Sequence, residues 1–179
     1  MKTRQLAMTA VMAALMAIAG MALRWVSPAL VPFSILPLIV YLAGLILGAG
    51  YGALSMIVYV VLGLFGLPIF ASAPFGGFAY VMKPTFGFLL GYIAAAYVTG
   101  LLYHPGSLVR AFIAVLGGLV VIYAFGLVYL YGILNWVLHK PTSVAGVLAI
   151  GFLPFIGLDL LKAAIAAIVG NEVVRRRRD

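Results

Sequence analysis

The sequence predicts an all-α membrane protein: a bundle of six transmembrane helices with a long structured outer loop between the third and fourth. Three observations carry that prediction. Of the 179 residues, 66% are hydrophobic and only 8% are charged, and the mean hydropathy is +1.27; with that composition the bilayer, and not a water-excluded core, is the organising solvent. Proline, glycine and charge punctuation divides the chain into six apolar runs close to the roughly 20 residues a span requires. The basic residues collect at the ends of those runs, which is the pattern of membrane topology and not of a nucleic-acid footprint. No long polar segment interrupts the series, so residues 1–179 read as a single transmembrane domain.

The first run, at about 5–24, is too long for a removable leader and lacks a small-residue cleavage site, so it reads as a span. Its stretch "LAMTAVMAALMAIAG" puts Ala10 and Ala14 on one stripe and Ala13 and Ala17 on an adjacent one. Such a small-xxx-small surface lets a second helix approach closely, either within the same bundle or from a partner subunit. The second and third runs, at about 33–49 and 51–67, are separated only by "GAGYG", room for a tight turn. Tyr41, inside the second run, is a polar-tipped aromatic that either lines a pocket or packs.

Between the third and fourth runs, "GLPIFASAPFGGFAYVMKP" combines three prolines, three glycines and four aromatics with a single charge, Lys83. A semi-apolar loop of that length packs back onto the protein. Phe70, Phe75 and Tyr80 are its candidate apolar walls. The fourth run, at about 84–103, opens "PTFGF" directly after Lys83; a proline at the first helical turn and free N–H groups there suit an anion. The fifth run, at about 108–131, is followed by the mixed stretch "YGILNWVLHKPTSVAGV", in which Asn135 is a candidate ligand contact and Trp136 an interfacial anchor. The sixth run lies at about 152–174.

Orientation follows from the bases. Lys2, Arg4, Arg110 and Arg175 to Arg178 fall on one side, against Arg24, Lys83 and Lys140 on the other. Seven against three places both termini on the cytoplasmic face of the cell membrane, and six spans return both ends to one face. The long loop and "NWVLHKPT" then face outside.

The chemistry available is narrow. The chain has no cysteine and two histidines, His104 and His139, at opposite membrane edges, so no metal site is expected. No HExxH, GxSxG or GK pattern occurs, which leaves no protease, hydrolase or Walker A signature. No cofactor is implied, and any ATP is hydrolysed by another chain. The exception is "GFLPFIGLDLLKAAIAAIVG", residues 151–170, where Asp159 and Lys162 sit one turn apart in an apolar run. They precede Arg175 by 16 and 13 residues, about 24 and 20 Å, which places both in the outer half of the bilayer. Each charge costs roughly 2.5–3.5 kcal/mol to place in a span. Either the two neutralise each other or Lys162 snorkels outward; or they line an outward cavity, the lysine meeting a substrate carboxylate and the aspartate accepting from substrate N–H groups. A membrane-embedded enzyme is the more distant alternative, since one acid/base pair and two edge histidines offer little machinery for turnover.

Three stretches together, "LAGLILGAGYGALSMIVYVVLGLFGLPIFA", "GGFAYVMKPTFGFLLGYIAAAYVTG" and "FLPFIGLDLLKAAIAAIV", resemble the BioY family over about residues 31–174. The combination of GLP, a PT(F/G)G(F/Y) motif and DxxKA in the last helix carries the likeness. The resemblance implies a biotin-specific substrate-capture subunit, the S component of an energy-coupling factor (ECF) transporter. Such a subunit works with a transmembrane coupling subunit and two cytoplasmic ATPases. It implies that the family's polar pair falls on Asp159 and Lys162, that its gating loop falls on 68–83, and that the alanine motif, Ala10 and Ala14 with Ala13 and Ala17 as the neighbouring choice, docks on the coupling subunit. The chain departs from the family in reading "ASAPFGG" and "KPTFGF": a basic residue expected earlier in the loop is missing, and Lys83 stands in for it. A different small carboxylate or vitamin is therefore the alternative ligand to biotin.

Overall fold

Helix α1, Lys2–Ala22, tightens into a 3-10 turn at Leu23–Trp25. The structure is a computed structural model that describes residues 2–25 and 34–177; the expected start of the second span at residue 33, the Lys2 side chain and Arg178 lie outside the described residues. Helix α2, Leu36–Leu64, is interrupted at Gly48, whose φ of 78° and ψ of 176° are open only to glycine. The break reverses the chain. A Cβ on Gly52 would come within 2.9 Å of the Ala43 carbonyl oxygen, whereas nine residues of continuous helix are about 13 Å long. The "GAGYG" turn thus folds α2 into two antiparallel legs, 36–47 and 49–64, the second and third of the six.

The remaining legs come in order: α3, Phe86–Leu102; α4, Leu108–Gly132, running on through a π turn at Ile133–Val137; and α6, Ile156–Arg176, preceded by the short α5, Val144–Gly151. The serine hydroxyls of Ser107 and Ser143 cap α4 and α5, accepting from the Arg110 and Gly146 N–H groups. The sixth apolar run, at about 152–174, opens in a bend and continues as α6. α5 and α6 meet at 53°, because Pro154 stands in the "FLPF" bend and cannot donate to a continuing helix. The bend leaves Asp159 in the first turn of α6, where unsatisfied N–H groups favour a carboxylate.

The bundle has a terminal end, where α1 starts and α6 stops, and a loop end, which carries residues 65–85 and 133–143. α3 packs against both α2 and α4, α6 closes the bundle against α2 and α4, and α1 lies along α2. Met16, Val40, Tyr41, Met56, Tyr59, Val115 and the alanines Ala95, Ala96, Ala163 and Ala166 fill the centre. Outward, the helices present Val11, Ile18, Val109, Ile113, Val120, Val128 and Ile168, an apolar girdle that would drive aggregation in water and that lipid covers. Trp25 and Trp136 are exposed at the loop end, the interfacial placement of an aromatic belt. The protein is a multi-pass membrane protein.

Candidate functional site

The first turn of α6 brings Asp159 to the bundle interior, where only 8% of its surface remains exposed. Both carboxylate oxygens are engaged. The Lys162 ammonium donates to Oδ1 at 2.6 Å and the Tyr123 hydroxyl, from α4, donates to Oδ2 at 2.6 Å. The i, i+3 spacing puts aspartate and lysine on one face of α6, and both side chains are nearly buried. The pair is therefore an inward-facing ion pair and not a snorkelling lysine. Tyr123 is held edge-on between Phe88 and Phe152, so its hydroxyl is aimed by packing.

Tyr41 and Tyr92 are buried in the same bundle interior as Tyr123. Tyr41 is fully buried, and its hydroxyl has no hydrogen-bond partner among the described residues. A buried hydroxyl left unsatisfied is costly, by about 1–3 kcal/mol, and such groups mark sites where a further polar group belongs.

The loop between α2 and α3 adds a second aromatic row. Phe70, fully buried, packs edge-on to Tyr59 at 5.6 Å and against Tyr80 at 4.3 Å between ring centres, and Tyr80 continues to Phe86 and that in turn to Tyr129. The Tyr80 hydroxyl bonds Ser72, and the Tyr129 hydroxyl donates to the Val81 carbonyl. Gly63 makes room for the Phe70 ring, since a Cβ there would fall 2.1 Å from its Cζ. Tyr92, on α3, is buried in the same core cluster as Tyr59, Phe70, Tyr80 and Tyr123. The loop is therefore packed down onto the bundle, as its composition predicts.

Other sequence-predicted residues fall in varied places. Lys83 is half-buried at the end of the 3-10 turn Phe78–Met82, and its ammonium has no hydrogen bond or ion pair among the described residues. Pro84 lies in the turn before α3, which starts at Phe86, and not at its first helical position. Phe75 is partly exposed in a left-handed conformation at φ 66°. Asn135, in the π turn, spends its side-chain amide on backbone: it donates to the Tyr131 and Thr142 carbonyls and accepts from the Thr142 N–H. It braces the connection to α5. On α1, Ala13 is buried and Ala17 half-buried on the side packed into the bundle, while Ala10 and Ala14 are exposed. Tyr123 and Arg24 were not singled out for the site by sequence reasoning; among ten tyrosines, nothing in the order of residues distinguishes Tyr123.

The profile of the BioY family matches residues 1–179. The chain belongs to the BioY family. Its relatives in that family include the probable biotin transporter BioY of Lysinibacillus sphaericus, 36% identical over 97% of this chain and 88% of the relative. The biotin transporter BioY of Thermotoga maritima is 36% identical over 81% and 83%, and that of Rhizobium etli 35% over 97% and 95%. The BioY fold is seen also in a solved structure, the S-component for biotin from an ECF-type ABC transporter, with a TM-score of 0.78 over 97% of this chain and 92% of that one at 22% identity.

Proposed function

We infer that this BioY chain is the biotin-capture subunit of an ATP-driven ECF-type importer. It spans the membrane as a single domain with both termini cytoplasmic, takes biotin from outside, and delivers it together with a transmembrane coupling subunit and two cytoplasmic ATPases. The observation that carries this reading is the buried Asp159–Lys162 pair at the start of α6, bonded to Tyr123 between the rings of Phe88 and Phe152. Biotin offers a ureido ring with two N–H donors and one acceptor, a thioether ring and a valerate carboxylate. Asp159 accepts from ureido N–H, exchanging its bond to Tyr123, and the free Tyr41 hydroxyl donates to the ureido carbonyl. Phe70, Phe75 and Tyr80 wall the apolar ring, and Lys83 or Lys162 takes the carboxylate. A few convergent polar groups in an apolar pocket are what such ligands require. Asn135 contributes by holding the α4–α5 connection, and Ala10 and Ala14, the exposed half of the alanine motif, dock the coupling subunit.

Calorimetric titration of the purified protein with biotin, beside a biotin amide that lacks the carboxylate charge, tests the reading. Tight binding that weakens with the amide is expected. No binding of biotin overturns the ligand assignment and turns the search to other small carboxylates or vitamins.

A further inference from the structure

Arg24 sits in the 3-10 turn that follows α1, on the side of the loop. A base placed there for topology alone faces the lipid headgroups; Arg24 instead turns onto the protein. Its Nε donates to the Phe70 carbonyl at 3.2 Å and a terminal nitrogen donates to the Pro68 carbonyl. The same guanidinium lies 4.4 Å above the centre of the Phe75 ring. One side chain thus grips three points of a single loop, in and beside the tight turn closed by the Phe70 N–H to the Phe75 carbonyl and the Phe75 N–H to the Ser72 carbonyl. The planar fork and stacking face that this requires belong to arginine and not to lysine.

The consequence runs inward. Phe70, whose carbonyl Arg24 holds, carries the ring buried against Tyr59 and Tyr80. Withdrawing the guanidinium frees the turn that fixes this ring against Tyr59 and Tyr80. We propose that Arg24 is a positioning residue that latches the 68–75 segment over the site and sets how slowly captured ligand leaves. The proposal rests on the reading of the chain as a biotin-capture subunit, but the latch itself is measurable without any ligand.

The test uses the full chain in lipid nanodiscs, with Arg24→Ala, Arg24→Lys and, should the alanine variant not fold, Arg24→Gln. Without ligand, amide exchange at Phe70, Phe75 and Gly77 is expected to quicken about tenfold or more in Arg24→Ala, the loss expected from a charge-assisted hydrogen bond and a cation–π contact. Exchange in Arg24→Lys should be intermediate. With biotin, the dissociation rate rises by about the same factor while the association rate changes by less than about threefold, since affinity changes reside mainly in release. Unchanged exchange in Arg24→Ala or Arg24→Gln overturns the latch, and faster exchange with an unchanged dissociation rate overturns its control of release. Failure of the wild-type chain to bind biotin refutes the ligand reading alone, and the exchange arm still decides the latch.

Discussion

The Asp159–Lys162 pair can be separated into its structural and its functional part, because the two parts respond differently to double substitution. At 2.6 Å, two unit charges attract by about 6 kcal/mol at an effective dielectric constant of ~20. Removing both from water offsets most of this, so the net worth of the pair is small while the loss of one partner is costly, about 3–5 kcal/mol. Asp159→Asn leaves the Lys162 charge in a site where only 13% of its side chain is exposed, and the Tyr123 hydroxyl facing an amide. Lys162→Met does the reverse. Each single variant is expected to lose about 3 kcal/mol of unfolding free energy in mixed micelles, and the double variant to regain most of it. Biotin binding should behave otherwise. The double variant has lost the charged acceptor for ureido N–H and one of the two candidate cations, so its Kd stays weaker by at least roughly a hundredfold, as in the singles. Unfolding and calorimetric titration of the four proteins form one cycle. Wild-type affinity in the double variant refutes the ligand role; single variants as stable as wild type refute the coupled, buried pair.

Two further outcomes arise from packing. Gly63→Ala places a methyl group 2.1 Å from Phe70 Cζ and is expected to cost about 1–3 kcal/mol by overpacking; thermal unfolding measures it, and the smaller side chain of Phe70→Leu in the same protein should restore part of the loss. Ala14→Leu, on the exposed face of α1, should leave biotin binding intact but prevent close approach of a partner helix. Co-purification with a coupling subunit is then lost, and undiminished co-purification would remove Ala14 from the docking surface.

The six legs were legible because hydropathy is written into each run separately. The hairpin inside α2 was legible in "GAGYG", where only glycine supplies the backbone of Gly48. The charged pair announced itself by cost: an aspartate and a lysine in an apolar run demand partners, whatever surrounds them. The bend at Pro154 also had its signal, a proline at the start of the sixth run.

Other features belong to the tertiary structure alone. The two alanine stripes of α1 are equivalent by composition, and only the packing of α1 along α2 buries Ala13 and exposes Ala14. Arg24 reads as a topology signal until the loop folds back beneath its guanidinium. Asn135 reads as a candidate ligand contact until Thr142 comes within reach of its amide. Tyr123, 36 residues from Asp159, is one apolar-run tyrosine among several until α4 and α6 are adjacent. The amino-acid order by itself determined what each segment must do in the bilayer, since transfer free energy is a property of a segment. Which hydroxyl meets which carboxylate was decided by the crossing of helices, because hydrogen bonds and ion pairs depend on distance and direction between groups far apart in the chain.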